Sequence, residues 1–308
     1  MTDYSYIGVG EVFMREAGTA APLALAGNVS ALNLSITEDT KELKDFTNAG
    51  GGNYNEVRRI SGVEYKMTAH DMSAANLAKM TFGTASAIVA GAITNEEQTG
   101  YKGGIVPTNY PINTSVAPVV EAKEGKAAAT RANTTAYSLN AYLVPATPND
   151  YYYKVTTAGT SGGTIPTYPT TVGGTVTDGT AVLTCMGKVT LVVETDYRVK
   201  AGGIVLQSTA SFTDGQVLEI DYTKSAANRV EALLNSAKEY EVVFNGLNDA
   251  RSGKAVIVRI HRLKLGAVAD LALIGEDYFA GEMSGKVLKD STKNGVSVSQ
   301  YFKTDIVE

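Results

Sequence analysis

The sequence of 308 residues contains no tryptophan, one cysteine, two histidines and eight prolines. A single cysteine cannot form an internal disulfide, so a disulfide-stabilised secreted scaffold is excluded and a reducing cytoplasm is the simplest site of synthesis. The chain also lacks an uncharged run of 18 strongly apolar residues, and its first residues lack the basic and apolar regions of a signal peptide. We therefore expect a protein without a membrane anchor that is made and assembled inside a cell.

Positive charge is scarce as well, because the formal net charge is −5 and no basic run exceeds Arg58-Arg59. A protein that grips nucleic acid neutralises phosphates with clustered Lys and Arg, so the composition argues against tight DNA binding. Hydrophobic residues make up 44% of the chain and charged residues 19%. This balance predicts a proper buried core, in one large or two ordinary domains.

Motifs for catalysis and ligand binding are missing too. His70 and His261 lie on separate predicted strands without metal-ligand spacing, and Cys185 has no CxxC partner, so we interpret all three as structural residues. The glycine-rich segments do not complete a phosphate-binding loop, and no catalytic serine, zinc or calcium signature is found. The sequence therefore predicts no enzymatic activity, no metal and no cofactor.

Apolar and polar residues alternate with a period of two in much of the chain, which predicts half-buried strands. This alternation covers residues 32–37, 63–70, 218–222, 240–244 and 255–265. In the last of these segments the apolar phase changes near His261, which predicts a β-bulge.

Two short helices are predicted between the strands. One follows residues 63–70, with Ser73 as its N-cap and Gly83 as the left-handed residue after its last turn. The other is predicted at residues 226–238, where apolar residues are spaced i, i+3, i+4 and i+7. The predicted class is therefore α+β, mainly β, with one or two short helices.

A charged, glycine-bearing stretch from Thr37 to Val57 has weak periodicity and is longer than an ordinary connection within a domain. It is either a mobile solvent loop, because Gly50, Gly51 and Gly52 provide no side-chain contacts, or an arm between subunits. In the second case its charges would form salt bridges at the joint. The candidate residues for this joint are Glu38, Asp39, Lys41, Glu42, Lys44 and Asp45.

The composition changes near residue 141, and no charged residue lies between Lys154 and Asp178. We predict an inserted small all-β domain at residues 141–187, which interrupts a core domain formed by residues 1–140 and 188–308. Its tyrosines have two interpretations. They either stack on sugar rings or form the core of a small domain without tryptophan, and the candidates are Tyr151, Tyr153 and Tyr168.

Several segments resemble, in order and character, the major tail tube protein of long-tailed non-contractile bacteriophages, the siphovirus type. These segments are residues 37–46, 50–59, 63–83, 244–266 and 279–290. The resemblance covers about residues 1–135 and 190–308 and rests on no invariant motif, so no site chemistry transfers with it. The insert resembles a small β-rich domain of phage tail and fibre proteins, with Tyr168 and Leu183, or a neighbour of Leu183, where tryptophans usually stand.

The resemblance implies a tail-tube-like β-sandwich or β-barrel and a structural virion protein that polymerises as stacked hexameric rings into the tail tube. This tube is the conduit for DNA ejection into the host cell. The implied partners are further copies of the chain and the tape measure, tail tip and tail terminator proteins. The implied location is the virion tail, after assembly in the host bacterial cytoplasm.

An acidic lumen would repel phosphates, so that DNA slides through the tube without specific binding. Glu64, Glu219 and Asp221 are candidates for lumen-facing residues, because they occupy the polar phase of their strands. The insert is expected on the outer wall, since it would obstruct the lumen or the stacking faces. The alternative function is a carbohydrate-binding adhesin that acts through the tyrosine-rich insert.

Overall fold

The computed structural model describes residues 4–47, 49–236 and 238–308, in two compact units. Unit 1 comprises Met1–Ser86 and Asn228–Glu308, and unit 2 comprises Ala87–Ala227. Strands account for 50% of the residues and helices for 5%, which confirms the α+β, mainly β class. Over the described ranges, several sheets form and none closes into a barrel.

The elements are numbered in chain order. The first part of unit 1 contains β1 (Gly8–Glu16), β2 (Ala24–Leu25), β3 (Val29–Lys44), β4 (Asn53–Ala69), α1 (Ala74–Met80) and β5 (Thr84–Ile88), the last of which continues into unit 2. Unit 2 contains β6 (Gly91–Thr99), β7 (Ile105–Pro107), β8 (Val119–Ala122), α2 (Lys123–Lys126), β9 (Ala129–Thr130), β10 (Ala136–Tyr137), β11 (Tyr142–Val144), β12 (Tyr151–Thr157), β13 (Gly159–Thr160), β14 (Thr175–Asp178), β15 (Ala181–Lys188), β16 (Tyr197–Lys200), β17 (Gly203–Leu206) and β18 (Val217–Lys224). The chain returns to unit 1 through β19 (Ala227–Glu231), followed by β20 (Glu239–Asn248), a 3₁₀ turn (Asp249–Arg251), β21 (Lys254–Leu265), β22 (Gly281–Val287) and β23 (Phe302–Ile306).

Unit 1 is built around one antiparallel sheet of eight strands. Its order is β2-β1-β20-β21-β22-β4-β3, and β23 pairs with β21 beside β22. The core lies on one face of this sheet, where alternate residues are buried, as the period of two predicts. The largest fully buried side chains of this core are Met14, Tyr65 and Met67 from the sheet and Met80 from α1.

The predicted bulge near His261 is confirmed. Tyr240 pairs with Leu263 and Val242 pairs with Ile260, so one residue of β20 stands opposite two residues of β21. The extra residue shifts the inward phase of β21, which is why Ile260 and Leu263 both reach the core.

Helix α1 begins as predicted, because the Ser73 side chain accepts a hydrogen bond from the Asn76 N–H at 3.2 Å. The prediction for its end is wrong by one residue. Phe82 has the left-handed backbone (φ 50°), and the Gly83 N–H donates to the Ala78 carbonyl at 2.8 Å, which completes a Schellman motif. Glycine is needed at position 83 for space, since a Cβ there would lie 2.5 Å from the Glu231 carbonyl oxygen.

The predicted helix at residues 226–238 is wrong. The described part of this segment forms β19 followed by turns, and Ala237 lies outside the described residues. The Leu233 N–H donates to the Thr81 carbonyl at 2.8 Å, and its side chain is 76% exposed. The apolar residues at helical spacing therefore do not pack on a buried surface, and the pairing of β19 with β5 determines the conformation instead.

Unit 2 contains four sheets, and its limits differ from the predicted domain boundaries. Strands β14-β15-β12-β11-β9 form a five-stranded sheet, called here the small sheet, over a core that includes Tyr153, Leu183 and Cys185. However, the small sheet begins at β9, before residue 141, and Tyr152 packs into a second core with residues far outside the predicted insert. The two units separate instead within β5 and β19. The change in composition indicated the aromatic segment. The boundary between the two units lies within strands, so no loop-like stretch of sequence indicates it.

Candidate assembly site

The charged stretch singled out in the sequence is a long β-hairpin. β3 and β4 pair from Val29 and Ala69 out to Lys44 and Asn53, whereas β22 pairs only with the inner part of β4, up to Glu64. Residues 37–62, called here the arm, therefore form a two-stranded ribbon that pairs with no third strand among the described residues. Both sides of the arm are exposed almost throughout. The stretch is thus regular β-structure rather than the weakly structured loop that the sequence suggested.

Cross-strand neighbours share a face of the ribbon, so the pairing assigns the charges of the arm to two faces. On the first face, Glu38 is paired with Ile60, Thr40 with Arg58, and Glu42 with Glu56. Ion pairs on this face join Arg58 to Glu56, Arg58 Nη1 to Glu38 Oε2 at 4.0 Å, and Lys44 Nζ to Glu42 Oε2 at 2.6 Å. The hydrogen bond from Lys44 also lowers the pKa of Glu42. These charges are largely satisfied within the arm.

The second face differs because its charges are unpaired, whereas exposed apolar side chains lie on both faces, including Ile60 on the first. Asp39 stands opposite Arg59, Lys41 opposite Val57, and Leu43 opposite Asn55. Within the described chain, Asp39, Lys41 and Arg59 form no ion pair shorter than 4.0 Å. The Leu43 and Val57 side chains are 52% and 47% exposed. This face has the mixed polar and apolar character of a surface that binds a partner.

The tip of the arm carries exposed aromatic side chains on a glycine-rich turn. Phe46 is 85% exposed and Tyr54 is 71% exposed. The Asp45 N–H donates to the Gly52 carbonyl at 2.8 Å, and the Asp45 carboxylate accepts from the Thr47 N–H at 2.8 Å. Of the predicted arm residues, Asp45 therefore shapes the turn. Asn48 lies outside the described residues.

The same sheet carries an apolar groove that sequence patterns did not reveal. It encloses about 370 Å³ between the outer edges of β1 and β3, with side chains of β20 and β21 as its floor. The lining residues, none of them charged, are Tyr6, Gly8, Gly10, Val12, Val29, Ser30, Ala31, Leu32, Leu34, Val242, Phe244, Val258 and Ile260. No described strand pairs with the outer edge of β3. The outer edge of β1 is covered from Val12 to Met14, where β2 pairs with Phe13 and Met14 and the Ala26 N–H donates to the Val12 carbonyl at 2.8 Å. The β3 wall and the part of the β1 wall before Val12 therefore present unpaired backbone edges.

The three predicted acidic lumen residues lie in different units and differ in their contacts. Glu219 is 15% exposed and pairs with Lys126 Nζ at 2.9 Å, and Asp221 accepts a hydrogen bond from the Asn95 N–H at 2.6 Å. Both belong to unit 2 and serve local structure. Glu64 of unit 1 is exposed.

The surroundings of Glu64 are not acidic. Lys286 stands opposite Glu64 on β22, and Lys264 stands opposite Lys286 on β21. The neighbouring Lys66 Nζ pairs with Glu282 Oε2 at 2.7 Å. This exposed face of the unit 1 sheet therefore carries charges of both signs, which the alternating strand pattern could not indicate.

The tyrosines of the predicted insert are mainly core residues. Tyr153 is fully buried, its hydroxyl donates to the Pro169 carbonyl at 2.9 Å, and it accepts from Asn149 at 2.8 Å. The Tyr168 ring packs on Tyr153 with centroids 4.7 Å apart, and burial raises the pKa of both hydroxyls to about 12. Tyr151 is half-buried at the edge of the same core. Sugar stacking on Tyr153 is therefore wrong, because its ring has no exposed face.

A buried ion pair in unit 2 was missed from the sequence. Arg131 Nε and Nη2 donate to the Asp178 carboxylate at 2.8 and 2.9 Å, and each side chain is only 1% exposed. Arg131 also donates to the Gly162 carbonyl at 2.6 Å. The bonds to Arg131 hold the pKa of Asp178 below its ordinary value. The signal was Asp178 itself, since a lone charge after an uncharged stretch is a candidate for burial.

The histidines and the cysteine have structural surroundings. His70 lies 2.8 Å from both the Phe279 carbonyl and the Ser30 hydroxyl, and Cys185 is fully buried. Burial lowers the pKa of His261 and raises that of Cys185. In the three described ranges, no group of three or more His, Cys, Asp or Glu is placed to hold a metal ion. No helix among the described residues has the length and apolar character needed to cross a membrane.

Comparison with known proteins gives a family but no activity. The chain belongs to the family described as Protein of unknown function UCP028589, which matches residues 5–146 and 154–305. No curated protein matches the chain. The family match includes most of the predicted insert at residues 141–187, apart from 147–153.

Proposed function

We propose that this chain is a structural virion protein of the major tail tube type, which polymerises as stacked hexameric rings into a conduit for DNA ejection. The observation that carries the proposal is the arm, a regular β-ribbon exposed on both faces. The resemblance of the surrounding segments to tail tube proteins supplies the hexameric ring and the phage tail.

The energetics of the arm favour a role in assembly. An isolated two-stranded hairpin is marginally stable in water because it buries no apolar face. The arm nevertheless keeps its pairing over residues 37–44 and 53–62 and holds Leu43, Phe46 and Tyr54 in solvent. Exposed apolar groups on an extended ribbon are an aggregation hazard unless a partner covers them. A neighbouring ring would provide that partner.

Open sheet edges support closure into rings. The outer edges of β2 and β23 have no partner strand among the described residues. When a strand edge of one copy pairs with a different edge of the next, the contact is head-to-tail, and it forms a ring if the rotation closes. Stacking of such rings through the arm then gives a tube rather than a closed particle.

The charge distribution supports passage of DNA without binding. The formal net charge is −5, and Lys126 is neutralised by Glu121 and Glu219. Glu64 remains the best candidate for a lumen residue, because Glu219 and Asp221 hold local contacts. The lysines beside Glu64 make that face mixed rather than acidic, so DNA would slide over alternating charges that offer no continuous track for phosphates.

Electron microscopy and sedimentation at increasing protein concentration test the proposal. We expect rings or tubes, with assembly promoted by a tail-tip nucleus. A protein that stays monomeric at high concentration, with no ring even when the nucleus is present, would contradict it. A discrete particle that binds glycan would instead support the adhesin alternative.

A shortened arm tests the structural basis of the same proposal. Joining Lys44 to Asn53 through an Asn-Gly turn removes residues 45–52, including Phe46, and keeps the hairpin geometry. We expect a folded subunit that no longer forms long tubes. Val89→Ser, at a side chain 75% exposed in unit 2, is the control and should assemble normally.

A further inference from the structure

We infer that the apolar groove between β1 and β3 receives the arm tip of a second copy of this chain. The inference rests on the proposed function and adds the two surfaces that meet. The groove is open to solvent in one chain and has no occupant from its own arm, because Phe46 at the tip is 85% exposed.

The two surfaces match in charge and polarity. No charged residue lines the groove, and its floor is formed by side chains such as Val242, Phe244 and Ile260. The tip offers the exposed rings of Phe46 and Tyr54. An uncharged groove accepts aromatic rings without burying an unpaired charge, whereas the charged faces of the arm would pay a desolvation cost there.

The two surfaces also match in their backbone edges. The groove walls include the unpaired outer edge of β3 and the unpaired part of β1 before Val12, and each arm strand has an outer edge without a partner among the described residues. An extended segment that lies between two open edges adds a strand to a sheet, and its alternate side chains fill the pocket below. The main competing segment is the exposed apolar loop at residues 266–280, which contains no strand. The arm therefore fits the groove better than this loop does.

Geometry requires that the arm tip come from another molecule. β3 forms a wall of the groove at Leu34 and continues into the arm, so Phe46 lies about 12 residues or about 40 Å further along an extended strand. The arm cannot bend back by that distance while its strands remain paired. A projection and a receptor at different places on one chain give a head-to-tail contact, which propagates from copy to copy.

The size of the contact suits repeated association. Two aromatic side chains bury about 300–500 Å² together. A stable pairwise interface needs about 800 Å² per partner, so a single tip is too small to hold two free subunits together. When rings stack, one tip from every subunit engages at once, and the joint becomes strong through multivalency. The tip therefore acts between rings rather than between isolated subunits.

Disulfide cross-linking tests the inference. The variant with both Phe46→Cys and Ala31→Cys places one thiol at the tip and one in the groove. The natural Cys185 is fully buried and does not compete. Under mild oxidation at assembling concentrations, we expect a ladder of covalent dimers, trimers and larger species on a denaturing gel. Each single-cysteine variant should remain monomeric on that gel.

The other outcomes separate the groove from the proposed function. Normal rings and tubes without a ladder would overturn the groove contact and leave the tube intact. A dimer from Phe46→Cys alone would show that tips meet each other. A ladder from Ile274→Cys with Ala31→Cys, at a residue 97% exposed in the competing loop, would assign the groove to that loop. Absence of any assembly in the unmodified protein would reject the proposed function itself.

Discussion

The arm and the small sheet of unit 2 both have Arg–carboxylate pairs, but the pairs of the arm are exposed and the pair of the small sheet is buried. Arg58 of the arm is 64% exposed, whereas Arg131 and Asp178 are each 1% exposed. An exposed pair gains little in water, while a buried pair fixes the structure around it, because neither member can be left alone. The small sheet therefore carries its charge as part of the fold, and the arm keeps its charge available for solvent or a partner.

Removal of the buried arginine should have the largest effect. Arg131→Ala leaves Asp178 buried without its cation and should lower the free energy of unfolding of unit 2 by about 3–5 kcal/mol. Chemical denaturation measures this change. The matched Arg58→Ala variant in the arm should lose far less stability, because its ion pairs are exposed to solvent. Equal losses in the two variants would show that burial does not separate the two regions.

Acid should remove part of the same stabilisation. The pKa of Asp178 is lowered in the folded protein, so its contribution is complete above the unfolded value of about 4 and is lost as the pH falls through the folded pKa. Denaturation midpoints recorded from pH 6 down to about pH 2 measure this loss. The double variant Arg131→Met/Asp178→Leu lacks this component and should lose less stability below about pH 4. If the midpoints of the two proteins fall in parallel as the pH is lowered, the assignment of this acid-sensitive stabilisation to Asp178 is refuted.

Removal of two tyrosine hydroxyls in the core of the small sheet should have smaller and different effects. Tyr153→Phe removes bonds to Asn149 and Pro169 and should destabilise unit 2 by about 1–2 kcal/mol. The buried Tyr168 hydroxyl has no hydrogen-bond partner within the described chain, so Tyr168→Phe should be neutral or slightly stabilising. Thermal unfolding compares them. A larger loss for Tyr168→Phe would mean that a bound water satisfies its hydroxyl.

The smallest effect is expected in the outer half of β4. Val57→Ala should change the stability of unit 1 by less than about 0.5 kcal/mol, because the side chain is 47% exposed. Val63→Ala, on the same strand but 2% exposed, should cost about 2 kcal/mol. Denaturation of both variants locates the point where β4 leaves the core. A cost above about 1 kcal/mol for Val57→Ala would show that the free arm is packed.

The sequence predicted the fold class and several strands because their alternation reports directly on a half-buried sheet. It also located the bulge at His261, where the apolar phase changes. It misassigned the arm, because a ribbon exposed on both faces needs no alternation. It placed a helix at 226–238 because local spacing contains no information about the pairing of β19 with β5.

The candidate site was predictable only in part. The charged residues of the arm were recognised, but their division into a paired and an unpaired face depends on the register of β3 and β4. The groove depends on strands that are more than 200 residues apart in the chain, such as β1 and β20. The ambiguity of Tyr153 could be resolved only by its burial.

The connections between the units have a practical consequence for engineering. The chain leaves unit 1 on β5 and returns on β19, and these strands form their own two-stranded sheet. Neighbouring strands lie about 5 Å apart, so a short turn could bridge them if unit 2 were excised. A foreign domain with closely spaced termini could be grafted at the same junction. The natural site for such an exchange is therefore Ser86 and Asn228, rather than the compositional border at residue 141.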